Sequence, residues 1–341
     1  MIILYILIAI LVFGFLIFIH ELGHFIFAKK FGVSITEFSL GMGPKLISKK
    51  GKDGVDYSLR LFPIGGFVAM VGESEDSDDP NAFNKKPAWQ RFIITAAGAI
   101  MNLLVGIIIM IILTTCSKGF GTTKIGKFND NATSNQYLRI NDEIIKVEKT
   151  RVHTASELSY EIMRKGYEPI SITVVRDGNE ITFENITFPT VSSEGIAFGS
   201  MDFIVYGEER SVLTVIKNSF YSSKSTIKMI WDSLFDLFSG RYGIEQVSGP
   251  VGVTGAITNA AKTSTYSLFY LVVVISMNLC IFNLLPIPAL DGGSLVLLLV
   301  EMTIRKPIPQ KIDYGIKAFG FIALMLLVVV ITFKDIFFLI K

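Results

Sequence analysis

Long apolar runs, separated by shorter polar segments, dominate the hydrophobic pattern of this chain. A helix that spans a bilayer needs about 20 predominantly apolar residues. Four runs reach or approach that length: residues 2–28, 92–116, 267–285 with an apolar extension to residue 300, and 314–333. The first run lacks the basic start and the small-residue cleavage site of a signal peptide, so it is interpreted as a retained span. The pattern predicts a polytopic α-helical membrane protein with four transmembrane helices.

Between the first two spans the hydrophobic period changes to two, which is typical of strands. Residues 55–61 alternate apolar and polar, and the apolar stretch 62–71 carries a Gly-Gly pair near its middle. We expect a membrane-associated β-hairpin, which must lie against protein or line a cavity because lipid does not tolerate exposed strand edges. It is either a small amphipathic sheet on the membrane or an edge strand that captures an extended substrate. The second interpretation makes four residues candidates for substrate binding: Gly65, Gly66, Phe67 and Val68.

Residues 119–190 have the pattern of a small α/β domain inserted between the second and third spans. Short strand-like runs come first, then a helical stretch near residues 156–165, and then a strand pair about Asp177-Gly178-Asn179. This order suits one PDZ-like module. In residues 191–262, a linker leads into an amphipathic stretch at 210–238, which is interpreted as a helix on the membrane surface. The alternative is that this helix packs against the PDZ-like module.

Composition agrees with a membrane protein. Half of the residues are hydrophobic, 18% are charged, and the mean hydropathy is +0.52. A net charge of +2 gives no reason to expect nucleic-acid binding. The two cysteines, Cys116 and Cys280, lie in or at the end of apolar runs and are expected to be small buried residues rather than a disulfide framework.

Basic residues beside the spans predict the orientation, because short cytoplasmic connections are rich in lysine and arginine. They concentrate in residues 29–52 and 85–91, between the first two spans, and in residues 305–311, between the last two. We therefore expect these two connections to be cytoplasmic. Both termini and the PDZ-like module are then extracytoplasmic.

The strongest chemical signal is His20-Glu21-Leu22-Gly23-His24, near the end of the first span. Helical residues four apart share a face, so His20 and His24 can bind one zinc ion. Glu21 lies one residue further round, where it can act on a water molecule. Each ionisable group near a bilayer centre costs roughly 2.5–3.5 kcal/mol, so this cluster calls for a partner such as a metal.

A second polar cluster, residues 283–293, interrupts the third span with two prolines and two glycines. Prolines remove backbone donors and glycines permit turns, so the helix is expected to break here. Asp291 emerges from the break and is interpreted as the third ligand of a single zinc ion. Two histidines and one carboxylate leave one tetrahedral position open, as in catalytic zinc sites. In the second span, Gly98 and Asn102 serve either helix packing or the shape of the site.

In these two metal-binding motifs and in their order along the sequence, the chain resembles the site-2 protease family over nearly its whole length. The resemblance implies four segments: residues 1–118 with two spans and the hairpin, the PDZ-like residues 119–190, the linker 191–262, and residues 263–341 with the last two spans. It implies that His20, His24 and Asp291 bind zinc, that Glu21 is the catalytic base, and that Asn283 holds the substrate backbone. Such enzymes cut single-pass membrane proteins within or beside the span, for example trimmed anti-sigma factors or signal-peptide remnants.

Two other functions remain open from the sequence. One is a non-catalytic, membrane-anchored PDZ adaptor whose zinc is structural, which needs a fourth ligand such as Cys280. The weaker one is a zinc permease. The partners expected for the protease are a single-pass membrane protein and the lipid bilayer, and the sequence does not predict an oligomeric state.

Overall fold

The computed structural model describes residues 2–73, 75–193, 195–241, 243, 245 and 247–340. In chain order the elements are α1 (Ile2–Lys30), β1 (Ile35–Lys50), β2 (Asp56–Met70), α2 (Ala88–Cys116), β3 (Gly119–Phe128), β4 (Glu143–Val147), β5 (Thr150–Arg151), α3 (Ala155–Lys165), β6 (Ile170–Arg176), β7 (Asn179–Ile186), β8 (Thr190–Ser193), β9 (Ile196–Gly199), β10 (Phe203–Glu209), α4 (Val212–Phe238), α5 (Pro250–Thr263), α6 (Thr265–Leu284), α7 (Asp291–Ile304) and α8 (Gln310–Ile340).

Among the described residues, four helices are long and apolar enough to cross a membrane. They are the stretches Leu4–Lys30, Ala88–Cys116, Thr265–Leu284 and Lys311–Phe337. The four predicted spans are therefore confirmed as helices, and the chain is a multi-pass membrane protein. The apolar extension of the third span is a separate helix, α7, because the chain breaks after Leu284.

The chain divides into two compact units. The first consists of residues 1–109 and 243–341, and the second of residues 110–242. In the first unit, α1 and α2 approach closely at Gly23. A Cβ atom placed on Gly23 would lie 2.7 Å from the carbonyl carbon of Ala97, closer than any side chain fits. The missing side chain brings the two helical backbones together beside His20 and His24.

A sheet in the first unit is built from only two long, bent strands. Residues 35–40 of β1 pair with residues 66–70 of β2 on one side and with residues 56–59 on the other. Residues 56–60 pair in turn with residues 45–50. Four segments therefore lie side by side in the order 66–70, 35–40, 56–60 and 45–50. The bend in β1 occurs at Gly41, whose φ of +84° few other residues adopt.

The prediction that the hairpin turns at the Gly-Gly pair within residues 62–71 is wrong. Gly65 and Gly66 both lie inside β2, and the turn of the hairpin is at residues 51–55, where the amide of Gly51 donates to the carbonyl of Val55 at 2.8 Å. Burial explains the difference, since Val68 packs with Phe25 and Phe38 in a small core between α1 and the sheet. Pairing residues 66–70 with β1 satisfies that core, whereas a tight turn at the glycines does not.

The two outer segments of this sheet differ in chemistry. Residues 66–70 carry no charge, whereas residues 45–50 include Lys45, Lys49 and Lys50. A partly buried carboxylate, Glu37, holds the middle of the sheet: it accepts hydrogen bonds from Ser58 at 2.5 Å and Arg60 at 2.8 Å, and Lys45 lies 3.0 Å away. Lysines on an open strand discourage pairing with another chain.

The second unit contains a mixed α/β fold. Its main sheet has the strand order β10-β3-β4-β6-β7, with β5 paired to β4, and β8 and β9 form a separate pair. Helix α3 begins at Thr154, whose side chain accepts the amide of Glu157, and it buries Leu158 and Ile162 against the sheet. The strand, strand, helix, hairpin order predicted for residues 119–190 is present, but the sheet continues past residue 190, because β10 pairs with β3.

Helix α4 packs against α3 through polar contacts. Arg164 and Asp236 lie 2.9 Å apart, and Lys228 lies 2.8 Å from Glu161. Apolar side chains face away from α3, and Phe235 and Phe238 are 70% and 80% exposed. The helix therefore packs on the α/β domain, and contact of its apolar face with a membrane stays a prediction.

Candidate metal centre

The predicted break in the third span positions Asp291. Helix α6 ends at Leu284, and α7 begins at Asp291 with its carboxylate in the first turn, where the helix dipole favours a negative charge. Gly292 makes the sharp return possible: a Cβ there would lie 2.5 Å from the backbone of Leu284. Asp291 is thereby fixed beside the two histidines of α1.

Three side-chain atoms converge at this point. The two Nε2 atoms of His20 and His24 lie 3.2 Å apart, and the Oδ2 atom of Asp291 is 3.3 Å from the first and 3.5 Å from the second. Ligands about 2.05 Å from a tetrahedral zinc ion are separated by about 3.3 Å. The triangle has the size that a zinc ion requires.

Hydrogen bonding shows that two of these atoms, Nε2 of His24 and Oδ2 of Asp291, present lone pairs to the centre. The Nδ1 atom of His24 donates to the carbonyl oxygen of Ile94 at 2.8 Å, so its Nε2 atom carries no proton when the ring is neutral. The Oδ2 atom of Asp291 is buried and has no hydrogen-bond partner among the described residues. Lone pairs this close repel one another unless a cation lies between them, so the donor set fits a metal ion.

Gly98 leaves the space that the histidines occupy. A Cβ atom on Gly98 would lie 2.7 Å from Cε1 of His24 and 2.8 Å from Cε1 of His20. Of the two interpretations of Gly98 that the sequence left open, packing and shaping of the site, the contacts support the second.

Glu21 lies between the histidine pair and the neutral edge of the sheet. The backbone amide of Val68 approaches its carboxylate, and a Cβ on Gly66 would lie 3.1 Å from its Cγ atom. The amide of Val68 therefore points away from β1. Strand residues two apart point the same way, so Gly66 also directs its backbone groups outward along this edge, whereas the carbonyl of Met70 accepts the amide of Glu73 at 3.3 Å.

A cavity of about 710 Å³ opens in front of these residues. Its lining includes His20, Glu21, His24 and Asp291, residues 66–70 of β2, and charged side chains further out. The arrangement combines a metal-sized donor set, a carboxylate and unpaired backbone groups in one space large enough for an extended segment of several residues.

Comparison with known proteins identifies the family. The model of peptidase family M50 matches residues 8–327. The chain belongs to this family, the site-2 proteases. It is therefore a membrane-embedded metalloprotease whose cofactor is zinc.

Relatives match this family member over nearly their whole length. A Clostridium perfringens protein that carries the name of a zinc metalloprotease is 35% identical over 98% of this chain and 99% of its own. The regulator of sigma-W protease RasP of Bacillus subtilis is 28% identical over 96% of this chain and 97% of its own. A protein of Enterococcus faecalis named as the protease Eep is 26% identical over the same shares of the two chains.

The predicted site residues fall into two groups. His20, Glu21, His24 and Asp291 come together at the cavity, as do Gly66, Phe67 and Val68. Asn283, in the last turn of α6, and Gly65 are not among the described residues that line it, so their binding of substrate stays a prediction.

No residue that the structure describes supplies, at this centre, the fourth ligand that a structural zinc site needs. Among the described residues the converging donors are His20, His24 and Asp291, and Cys280 is not one of them. The adaptor hypothesis therefore lacks its required residue in the part of the chain that the structure describes.

Several cavity residues were missed by sequence reasoning. Arg91 and Glu301 form an ion pair on the cavity wall, and Glu73 and Lys317 lie further along it. Arg91 and Glu301 are 210 residues apart in sequence. Each stands beside an apolar run, where a lone charge needs a partner, but only the fold shows which partner it has.

Proposed function

We propose that this protease hydrolyses a peptide bond within or next to the transmembrane segment of single-pass membrane proteins, such as a trimmed anti-sigma factor or a signal-peptide remnant. In this proposal His20, His24 and Asp291 hold the zinc ion and Glu21 is the general base. The observation that carries it is the convergence of three metal-binding atoms beside a free carboxylate and an open strand edge.

Zinc at such a site lowers the pKa of a water molecule and polarises the substrate carbonyl. Glu21 accepts the proton of the attacking water and delivers it to the leaving amide nitrogen. The amide of Val68 holds the Glu21 carboxylate toward the cavity. Because His24 is anchored through Ile94, its ring keeps one orientation during the reaction.

The substrate must unwind before it can react, because helical hydrogen bonds shield its peptide groups. The outward backbone groups of Gly66 and the carbonyl of Val68 offer replacement partners along the edge of β2. An extended substrate segment that pairs there lies across the cavity, in front of Glu21. The absence of charge in residues 66–70 suits the apolar sequence of a membrane span.

Orientation and the second unit complete the proposal. The lysine-rich connection between α1 and α2 is assigned to the cytoplasmic side, which places the second unit outside. Its α/β fold with one helix over an antiparallel sheet supports a PDZ-like module, and we assign it the role of a filter that excludes substrates with intact outer domains. The printed name of RasP, a regulator of a sigma factor, is consistent with a substrate among anti-sigma factors.

The test uses purified protein, a synthetic single-span substrate and metal analysis. Glu21→Gln should keep its zinc and lose cleavage, since an amide cannot accept the proton. Asp291→Asn should bind zinc more weakly. Normal cleavage by Glu21→Gln would remove Glu21 from the mechanism, and unchanged zinc affinity in Asp291→Asn would remove Asp291 from the ligand set.

The substrate itself can be found in cells. Stubs of single-pass proteins should accumulate in a strain that carries Glu21→Gln and disappear when the native chain is restored. Quantitative membrane proteomics of the two strains identifies them. Identical membrane proteomes would contradict the proposed substrate class.

A further inference from the structure

The two histidines of the centre differ in how their second ring nitrogen is bound. The Nδ1 atom of His24 donates to the carbonyl of Ile94. The Nδ1 atom of His20 is buried and has no hydrogen-bond partner among the described residues. If His20 offers Nε2 to a metal, its Nδ1 atom carries a proton that needs an acceptor. Metal-binding histidines almost always have such an acceptor.

Asn102 carries the matching unpaired groups. Asn102 is fully buried, and the Oδ1 and Nδ2 atoms of its side chain lack a hydrogen-bond partner among the described residues. The helix contact at this position is made by its backbone instead, whose carbonyl accepts the hydroxyl of Ser276 at 2.7 Å. The side chain of Asn102 is therefore not needed to join α2 to α6.

The register between α1 and α2 brings Asn102 towards His20. His24 contacts Ile94, and His20 lies against Gly98, so the helices run antiparallel here. Asn102 is one turn beyond Gly98, on the same face of α2. Helical side chains lean towards the N-terminus of their helix, which directs the Asn102 amide back over Gly98.

Glycine at position 98 leaves that path free of a side chain. The ring atom of His20 that a Cβ on Gly98 would meet is Cε1, which lies between Nδ1 and Nε2 in the ring. The register of the helices therefore directs the unpaired nitrogen of His20 and the unpaired amide of Asn102 towards the same gap.

We propose that Asn102 is a positioning residue for His20: its Oδ1 atom accepts the Nδ1–H hydrogen bond, directly after rotation of the side chain or through one water molecule. This deepens the proposed function and rests on His20 being a zinc ligand. The bond orients the imidazole so that Nε2 faces Asp291 and His24. It plays the part for His20 that the Ile94 carbonyl plays for His24.

The test compares Asn102→Leu, which keeps the size and removes the acceptor, with Asn102→Asp, which keeps an acceptor. Zinc affinity is measured by competition with a chelator, and ligand geometry by the visible spectrum of the cobalt-substituted protein. Loss of such an outer hydrogen bond weakens metal binding by about 10- to 100-fold. We expect that loss and an altered cobalt spectrum for Asn102→Leu, and near-native values for Asn102→Asp. Ser276→Ala, which disturbs the same helix contact without touching the amide, should bind zinc normally.

Two outcomes overturn the proposal. One is native zinc affinity in Asn102→Leu, and the other is equal weakening in Asn102→Asp and Asn102→Leu. A fall in the thermal stability of the metal-free protein with unchanged zinc affinity would assign Asn102 to packing alone. His20→Ala distinguishes a failure of the proposed ligand set from a failure of the role of Asn102. Native zinc affinity in His20→Ala would remove His20 from the ligand set. A strong loss of zinc affinity in His20→Ala, together with native affinity in Asn102→Leu, would refute only the role of Asn102.

Discussion

The absence of a side chain at Gly98 gives the sharpest test of the metal centre. Gly98→Ala places a methyl group where it would lie 2.7 Å from Cε1 of His24 and 2.8 Å from Cε1 of His20. Ordinary contact begins near 3.4 Å, and Nε2 of His24 would lie closer than its Cε1, so each ring must retreat by at least about 0.6–0.7 Å. Both histidines are displaced by one methyl group.

The rings have little freedom to retreat. His24 is held by its 2.8 Å hydrogen bond to Ile94, and the three donor atoms are separated by only 3.2–3.5 Å. Metal–ligand distances tolerate deviations of about 0.2 Å. A misplacement of about 1 Å near the reacting groups can lower the rate about 100-fold. We therefore expect Gly98→Ala to bind zinc more weakly and to cleave about 100 times more slowly than the native chain.

Zinc content by mass spectrometry and the cleavage rate of a synthetic single-span substrate measure the two effects. The matched control is Gly14→Ala on α1, where a Cβ atom meets nothing within 4 Å. Both changes raise helix propensity equally, so a difference between them reports the clash. Full zinc content and normal cleavage in Gly98→Ala would refute the geometry of the centre.

Three further predictions concern the surroundings of the site. Burial acts to raise the pKa of Glu37, but its hydrogen bonds and ion pairs outweigh burial and lower the pKa to about 2. Its contribution to the free energy of unfolding is therefore complete above the ordinary glutamate pKa of 4.5 and is lost as the pH falls towards 2. Glu37→Gln should lower the melting temperature at pH 7 and match the native chain near pH 2; an equal gap at both pH values would contradict this. Gly66→Ala should slow cleavage without loss of zinc, because the new methyl group would lie 3.1 Å from Cγ of Glu21. Cleavage kinetics and metal analysis measure the two effects, and a fall in zinc content would contradict the placement of Gly66 beside Glu21 rather than beside the metal. Arg91→Met and Glu301→Gln should couple by about 0.5–3 kcal/mol in a double-mutant cycle of detergent-solubilised protein, and additive effects would show that their ion pair adds no stability.

Much of the centre was predictable because its two motifs encode their own geometry. The spacing of His20 and His24 is one helical turn, and the prolines before Asp291 predict a break in the helix whatever its surroundings. What brings the two motifs together is contact between distant segments, such as the approach of α1 and α2 at Gly23, and sequence periodicity does not contain it. The position of Gly98 against both rings became clear only from that approach.

The sheet was harder to predict than the helices. Apolar and polar alternation located the strands, but the pairing register depends on which side chains are buried. Val68 fits the core with Phe25 and Phe38, and this fit decides that residues 66–70 pair with β1. A glycine pair reads as a turn in isolation, whereas here Gly65 bends a strand, with a φ of +79°, on its way back to the core.

The unequal borders of the small sheet limit how many polypeptides it can hold. One border, residues 66–70, is neutral and faces Glu21. The opposite border, residues 45–50, carries lysines, which would repel one another if this edge paired with the same edge of a second copy. Of the two borders, the neutral one favours an added segment, so we expect each enzyme molecule to bind one substrate chain at a time. A saturation titration with a non-cleavable single-span substrate should reach a stoichiometry of one substrate chain per enzyme molecule.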